Sequence, residues 1–444
     1  MNRTVDGLFP GHLRDLCARM DAALADTNFE RVAIYSGRTS YRFLDDMTYP
    51  FKVNPHFKQW APLLDAPESF IVYRPGQRPE LHFYQPADYW HRPPQLPEEP
   101  WLQEFDVKVL REPDDARATL AAGAQRTAFI GEWQPGFAAW GFAAANPTEL
   151  LAILHFQRAI KSAYEVECLR VASQLGVRGH VAARDAFRAG ASEYEVHLAY
   201  CAATGLTEVE LPYDNIIAFD TGGAILHNHH RSRERDVPRR SLLIDAGAEF
   251  RGYASDITRT YAGDDRAFEQ LVASLDAAQQ RICAAVRPGT DYREVHLLAH
   301  RLVAGLLREI GVIRCDADTA VASGVSGVFL PHGIGHLLGL QVHDVAGLAQ
   351  GPQGGEIPRP PGHPYLRLTR VLEPGFVVTI EPGLYFIDML LAAARADERG
   401  QHIDWNEVER WRPFGGIRIE DDVVCTTSAP LNLTREAFAA QAAG

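Results

Sequence analysis

The stretch Ser241-Leu-Leu-Ile-Asp245 followed by AGAEFRGYASDITRT leaves a chain few ways to fold. An apolar run ends in a carboxylate, Arg251-Gly252 offers a two-residue turn, and a second run returns carrying another carboxylate, the pattern of a β-hairpin. With Arg251-Gly252 at the turn, Asp245 faces Thr258 and Asp256 becomes its diagonal neighbour on the same face. Such neighbours lie roughly 7–8 Å apart, close enough for both carboxylates to reach toward shared cations. A slip of one residue would send them to opposite faces, so the reading stands on that register.

Other segments aim acids and imidazoles in a similar way. In Gly416-Ile-Arg418-Ile-Glu420, period-two alternation puts Ile417 and Ile419 on one side of a sheet and Arg418 and Glu420 on the other. The buried-strand pattern FVVTI ends at Glu381, where Pro382-Gly383 takes the chain out of the core. In PHGIGHLLGLQVHD, three histidines (His332, His336 and His343) fall within twelve positions beside glycines that permit close approach. Four strand-borne carboxylates with an imidazole suit Mn²⁺, Co²⁺ or Zn²⁺ better than Cu(I) or an iron–sulfur cluster. Bridging carboxylates would support two ions about 3.5–4 Å apart, an arrangement that activates water for hydrolysis.

Composition sets the outer limits. Fifty-seven acidic against 44 basic residues leave a net charge of −13, which argues against a protein built mainly to grip phosphate backbones, so no nucleic-acid partner is expected. With 46% hydrophobic and 23% charged residues, the 444-residue chain has the means to bury a large core. Charges interrupt the opening MNRTVDGLFPGHLRDLCARMD where a signal peptide needs an apolar stretch, and no run approaches a membrane span. A cytoplasmic protein without a membrane partner is expected. The six cysteines lie far apart with no C-x-x-C pair, which predicts reduced thiols.

Short apolar runs alternating with helical patterns between about residues 30 and 110 predict an α/β domain, interrupted by a proline-rich surface loop at PADYWHRPPQLPEEPW. The S-x-x-E box at Ser162 and Glu165 starts a helix and sets the domain boundary near residue 160. A further helix is expected after Asp291, stopping at Gly311. GPQGGEIPRPPGHP reads as a long Pro/Gly loop.

Together, IDAGAEFRGYASDITRTY, LPHGIGHLLGLQVHD, TIEPGLYF and GGIRIEDDVV resemble the creatinase/methionine aminopeptidase, or pita-bread, family of metallopeptidases. Within it the similarity is to bacterial Xaa-Pro dipeptidases and the related organophosphorus acid anhydrolases, and FLDDMTYPFKVNPHFKQW extends it toward the N-terminus. The resemblance implies an α+β fold in which residues 161–444 form the pita-bread catalytic domain, preceded by a smaller creatinase-type α/β domain over residues 1–160. It implies two divalent ions, commonly Mn²⁺ with Co²⁺ or Zn²⁺ as alternatives, held by Asp245, Asp256, His336, Glu381 and Glu420. Asp256 and Glu420 would bridge, Asp245 would complete one ion, and His336 and Glu381 the other. Glu381 would also take and return a proton, with His343 and His227 donating near the reacting carbonyl.

By the same resemblance, Arg418 and His332 would grip the free carboxylate of a dipeptide, and Tyr213, Leu226 and Val342 match pocket positions. Asp45 matches an acid that reaches in from a second subunit, which implies a homodimer. Aminopeptidase P chemistry on longer peptides is the nearest rival, and Arg418 with His332 argue against it; the motifs do not separate a dipeptidase from a phosphotriesterase. The intact ligand set speaks against a metal-free amidinohydrolase or a non-enzymatic binding module. No nucleophile elbow, H-E-x-x-H helix or P-loop is present. After His227 the chain reads Asn228-His229-His230, where relatives more often carry tyrosine first.

Overall fold

The runs RVAIY, FIVY and TAFI are apolar on both faces, which suits strands covered from two sides. In the computed structural model, which describes residues 3–443, they form the middle of a six-stranded sheet. Its strands are β1 (Arg31–Tyr35), β2 (Phe70–Tyr73), β3 (Glu80–Tyr84), β4 (Asp106–Leu110), β5 (Thr127–Ile130) and β6 (Ala144–Ala145), in the order β4-β3-β2-β1-β5-β6. Pairing is mixed: β1 runs antiparallel to β2 and parallel to β5. Tyr35, Phe70, Phe129, Phe137 and Trp140 fill one face. The helix Arg3–Asp26 buries Val5, Phe9, Leu13, Leu16, Met20 and Leu24, a three-and-four spacing that makes one apolar stripe. The proline-rich segment predicted as a loop contains neither helix nor strand over residues 85–99.

By its internal contacts the chain divides into two compact units. One runs to Cys168 and includes residues 251–253 and 351–355; the other holds the remaining residues.

In the second unit, β7 (Ile216–Phe219), β8 (Ser241–Asp245) and β11 (Thr258–Ala262) form an antiparallel sheet in the order β11-β8-β7. Between β8 and β11 the chain forms the short pair β9 (Glu249–Phe250) and β10 (Tyr253–Ala254), which continues the hairpin. Asp245 is opposite Thr258, as the hairpin reading requires. The turn residues Arg251 and Gly252 have φ of 50° and 88°, the left-handed pair that a tight hairpin turn needs. The segment read as a Pro/Gly loop begins instead with a small hairpin, β12 (Ala349–Gly351) and β13 (Gly354–Glu356), joined at Pro352-Gln353, with Gly354 and Gly355 at positive φ just after the turn. Further on come β14 (Val377–Ile380), β15 (Gly383–Tyr385), β16 (Gly416–Arg418), β17 (Asp421–Val424) and β18 (Leu431–Asn432), with β14 pairing β17 and β15 pairing β16.

Helices back these sheets. Ala163–Arg188 opens with the expected reciprocal box: Ser162 N–H donates to Glu165 Oε2 at 2.8 Å, and Glu165 N–H to Ser162 Oγ at 3.4 Å. Tyr292–Glu309 is capped by Asp291, which accepts from the Arg293 N–H, and the chain leaves through Gly311 at φ 79°. This helix and Arg266–Cys283 contribute Leu271, Leu275, Val303 and Leu307 to the core that also buries Ile417 and Ile419. With the isoleucines committed there, alternation leaves Arg418 and Glu420 to the opposite side. Among the described residues no helix is long and apolar enough to cross a membrane, and all six cysteines are free.

His180, inside the helix Ala163–Arg188, donates from Nε2 to the Ala246 carbonyl at 3.0 Å, and burial pushes its pKa down to about 3. The unfolded chain takes up that proton near pH 6.5 while the folded protein does not, so the contribution is complete above pH 6.5 and is lost progressively down to about pH 3. We expect His180→Leu to flatten the fall in unfolding free energy by about 1.4 kcal/mol per pH unit between pH 6 and 4, measured by urea denaturation.

Candidate metal centre

Backbone pairing carries the five expected ligands to one place. Asp245 ends β8 opposite Thr258, and Thr258 in turn bridges Glu420, whose N–H donates to the Thr258 carbonyl at 3.0 Å. From Glu420 the chain enters β17, which pairs with β14, and β14 delivers Glu381 one residue beyond its end. On the far side of β14, Leu337 bridges Val378, and the Thr379 N–H donates to the His336 carbonyl at 3.0 Å. A single hydrogen-bonded succession of strands thus presents Asp245, Asp256, Glu420, Glu381 and His336 to the same cavity. Gly335, at φ 153°, lets the histidine segment press against this strip: a Cβ there would sit 2.0 Å from the Thr379 carbonyl oxygen.

The side-chain geometry suits cations. Asp256, His336 and Glu420 each place one ligand atom within 4.8 Å of the others. His336 Nδ1 donates to the Leu337 carbonyl at 3.0 Å, and Nε2 points among the acids, 3.4 Å from Asp256 Oδ2 and 4.0 Å from Glu381 Oε1, where loss of its proton would free it for a cation. Burial pushes the Glu381 carboxyl up to about 7, with Asp256 and Asp245 adding to the rise and His336 and Arg418 opposing it. Glu420 is driven well above the usual carboxylate range, first by burial and then by Asp256, Glu381 and Asp245. Burial also raises Asp245, with Asp256 adding and Arg418 opposing. Asp256 is lowered despite its burial because His336 faces it. Buried acids held against their own repulsion, with an imidazole aimed among them, are the donor set that divalent cations neutralise.

Other predicted residues fall in more varied places. His227, Leu226, His332, His343 and Arg418 line a cavity of about 560 Å³ together with the five expected ligands. His343 stands edge-on to His336, ring centroids 4.4 Å apart. Arg418 is already occupied: Nη2 donates to Asp245 Oδ2 at 2.7 Å, Nη1 to the Tyr385 hydroxyl at 2.9 Å, and Nε to Thr258 Oγ1 at 3.2 Å. His332 Nδ1 donates to the Gly333 carbonyl, and Nε2 lies 2.9 Å from the same Tyr385 hydroxyl. Both expected carboxylate grips therefore spend donors inside the protein.

Tyr213 and Val342 do not line the cavity. The Tyr213 hydroxyl sits behind the carboxylates, 2.8 Å from Asp245 Oδ1 and 2.6 Å from Asp256 Oδ1. Asp45 is exposed, in the other unit, and accepts from the Met47 N–H. Of the histidines after His227, His229 pairs with Asp214 at 3.3 Å and His230 is exposed.

Three contributors were missed. Arg367 lines the cavity with its side chain exposed and engages no hydrogen-bonding or ion-pair partner among the described residues. Tyr385 joins Arg418 to His332, and Asp422 accepts from the Asp256 N–H at 3.2 Å and from Ser173 Oγ at 2.9 Å. The two aspartates in EDDVV, Asp421 and Asp422, were the only sequence signal for the last of these.

The family model for the N-terminal domain of Xaa-Pro dipeptidase matches residues 7–156, and that for metallopeptidase family M24 matches residues 167–427. The chain belongs to metallopeptidase family M24, the pita-bread enzymes, and is a metal-dependent hydrolase. It is 52% identical to the Xaa-Pro dipeptidase of Xanthomonas axonopodis pv. citri, covering 98% of this chain and 99% of the relative. To the Xaa-Pro dipeptidase of Stenotrophomonas maltophilia it is also 52% identical, over 98% of each. Zinc-substituted aminopeptidase P of E. coli in complex with product shares the fold, with a TM-score of 0.71, 24% identity and coverage of 97% and 98%. Proline aminopeptidase P II from Yersinia pestis does likewise, with a TM-score of 0.70 at 25% identity over 97% of this chain and 100% of that one.

Tyr213→Phe removes the hydroxyl that orients two of the acids while leaving the cavity wall intact. We expect it to weaken divalent-metal affinity roughly 10–100-fold, read from metal retained against a graded chelator.

Proposed function

We propose that this enzyme is an Xaa-Pro dipeptidase working with two divalent cations, Mn²⁺ in the first place, bound by Asp245, Asp256, His336, Glu381 and Glu420. The observation that carries the reading is the convergence of these five side chains in a cavity whose wall also holds an uncommitted guanidinium, that of Arg367. The relatives' activity toward Xaa-Pro dipeptides supports the substrate class. Bound cations would supply an activated water near neutral pH and polarise the scissile carbonyl.

The chain's own residues do the rest. Glu381 takes a proton at its carboxylate and returns it to the departing proline nitrogen. His343 and His227 offer N–H donors at the cavity wall, where charge develops on the carbonyl oxygen. Arg367, with the N–H groups Arg418 has left over, binds the C-terminal carboxylate and so limits the substrate to two residues. Leu226 and Ile387 give the proline ring an apolar wall, and since that peptide nitrogen carries no N–H the site loses nothing by offering it no acceptor. A cavity of this kind also suits a tetrahedral phosphorus centre, and slow phosphotriester hydrolysis belongs to the reading as a side reaction.

A homodimer is part of the same proposal. Around Asp45, Phe43 and Leu44 are 90% and 91% exposed, with Tyr41, Met47 and Tyr49 also open, an apolar patch that a second subunit would cover.

The deciding assay compares proline release from an Xaa-Pro dipeptide with cleavage of the matching Xaa-Pro-Yaa tripeptide by metal-stripped enzyme resupplied with Mn²⁺. Cleavage of the dipeptide alone is expected; preference for the tripeptide would move the enzyme to aminopeptidase P chemistry. In the same assay Arg367→Ala should raise KM roughly ten- to a hundredfold, as loss of a charge-assisted contact of about 1.5–3 kcal/mol requires, with kcat changing less.

A further inference from the structure

A second group of ligand-type side chains lies in the catalytic unit, outside every role assigned above. His296 and His300 stand one turn apart on the buried face of the helix Tyr292–Glu309, and His363 closes on them from the segment that follows β13. Ring centroids are 4.6 Å apart for His296–His300 and for His296–His363, and 4.5 Å for His300–His363. One nitrogen from each ring lies within 4.8 Å of the others. His296 Nε2 and His363 Nδ1 face each other at 2.9 Å, while His300 Nε2 and His296 Nδ1 are buried without a hydrogen-bond partner.

Simple packing does not account for this. Two buried nitrogens are left unsatisfied in a core where leucine or phenylalanine would fill the space at no such cost. Burial holds His296 down to about 2 and His300 to about 3, so both rings are neutral, with lone pairs available. Ser326 Oγ, 3.0 Å from His300 Nδ1, fixes that ring as an outer partner fixes a ligating imidazole. His363 is only half-buried, which leaves a side open for entry and for a water as fourth ligand. A neutral three-nitrogen set prefers Zn²⁺, Co²⁺ or Cu²⁺ over Mn²⁺, the reverse of the carboxylate-rich site nearby.

We infer that His296, His300 and His363 form a separate binding site for a borderline divalent cation, Zn²⁺ above all, which ties the His363 loop to the helix. That loop continues to Tyr365 and Arg367 in the cavity wall, so the ion would steady the residue that meets the substrate carboxylate. The metal site itself does not depend on the proposed peptidase activity; the effect on Arg367 does.

The test uses the full chain with its carboxylate site disabled by D256N/E420Q, stripped of metal and titrated with Zn²⁺ alone. One tightly held Zn²⁺ per chain is expected, with X-ray absorption showing an imidazole shell, and adding His363→Asn should weaken binding at least tenfold. Should D256N/E420Q not fold, the wild-type chain preloaded with Mn²⁺ should retain one added Zn²⁺ that His363→Asn does not. Equal Zn²⁺ binding with and without His363, or an oxygen-only shell, would overturn the inference. Failure of dipeptide cleavage by the Mn²⁺ enzyme would instead sink the peptidase reading and leave the Zn²⁺ stoichiometry untouched.

Discussion

Mutual repulsion among Asp245, Asp256, Glu381 and Glu420 is the constraint around which the catalytic unit is built. Two like charges at 4 Å cost about 4 kcal/mol even at an effective dielectric of 20, and here four carboxyls face one cavity. Arg418 answers Asp245, His336 answers Asp256 and Glu381, and Tyr213 offers its hydroxyl to two of the acids. These partners are too few for four full negative charges, which is why burial and neighbours drive Glu420 so far upward. Divalent cations bound there, as proposed, would resolve the conflict and make the arrangement chemically useful.

The fold meets this demand by placing each acid on, or just past the end of, a strand. Strands fix direction within a narrow range, and the hydrogen-bonded succession from β8 through β11 and β17 to β14 and Leu337 holds these acids and His336 in series. Opposite faces of the same strands enter the core: Ile417 and Ile419 are buried in the cluster that holds Leu275 and Leu307, and slipping one residue would exchange them for Arg418 and Glu420. Packing and ligand placement thus enforce one register. The imidazole cluster at His296, His300 and His363 follows a different logic, with neutral rings on a helix and a loop, and so invites a different class of ion.

Much of the site was legible wherever a local rule decides direction. The turn Arg251-Gly252 dictated the pairing of Asp245 with Thr258, and alternation sorted residues 417–420 correctly. Legibility ended where a side chain's partner comes from far along the chain. Arg418 looked like a free fork, yet Asp245 and Tyr385, 173 and 33 residues away, occupy it. Tyr213 looked like a pocket residue, yet its hydroxyl supports the acids from behind. Arg367 and His363 sit in a segment that composition marks only as Pro/Gly-rich.

What the sequence alone determined is which acids and histidines face one way, because hairpin register and strand alternation are local and periodic, and, through the motifs that carry the resemblance, the family. What only the tertiary structure decided is which donors remain free once the chain is folded. A guanidinium or an imidazole has a fixed number of N–H groups, and the neighbours that claim them are set by the packing of distant strands. That competition leaves Arg367 rather than Arg418 with an open fork, and gathers His296, His300 and His363 from 67 positions of sequence into one cluster.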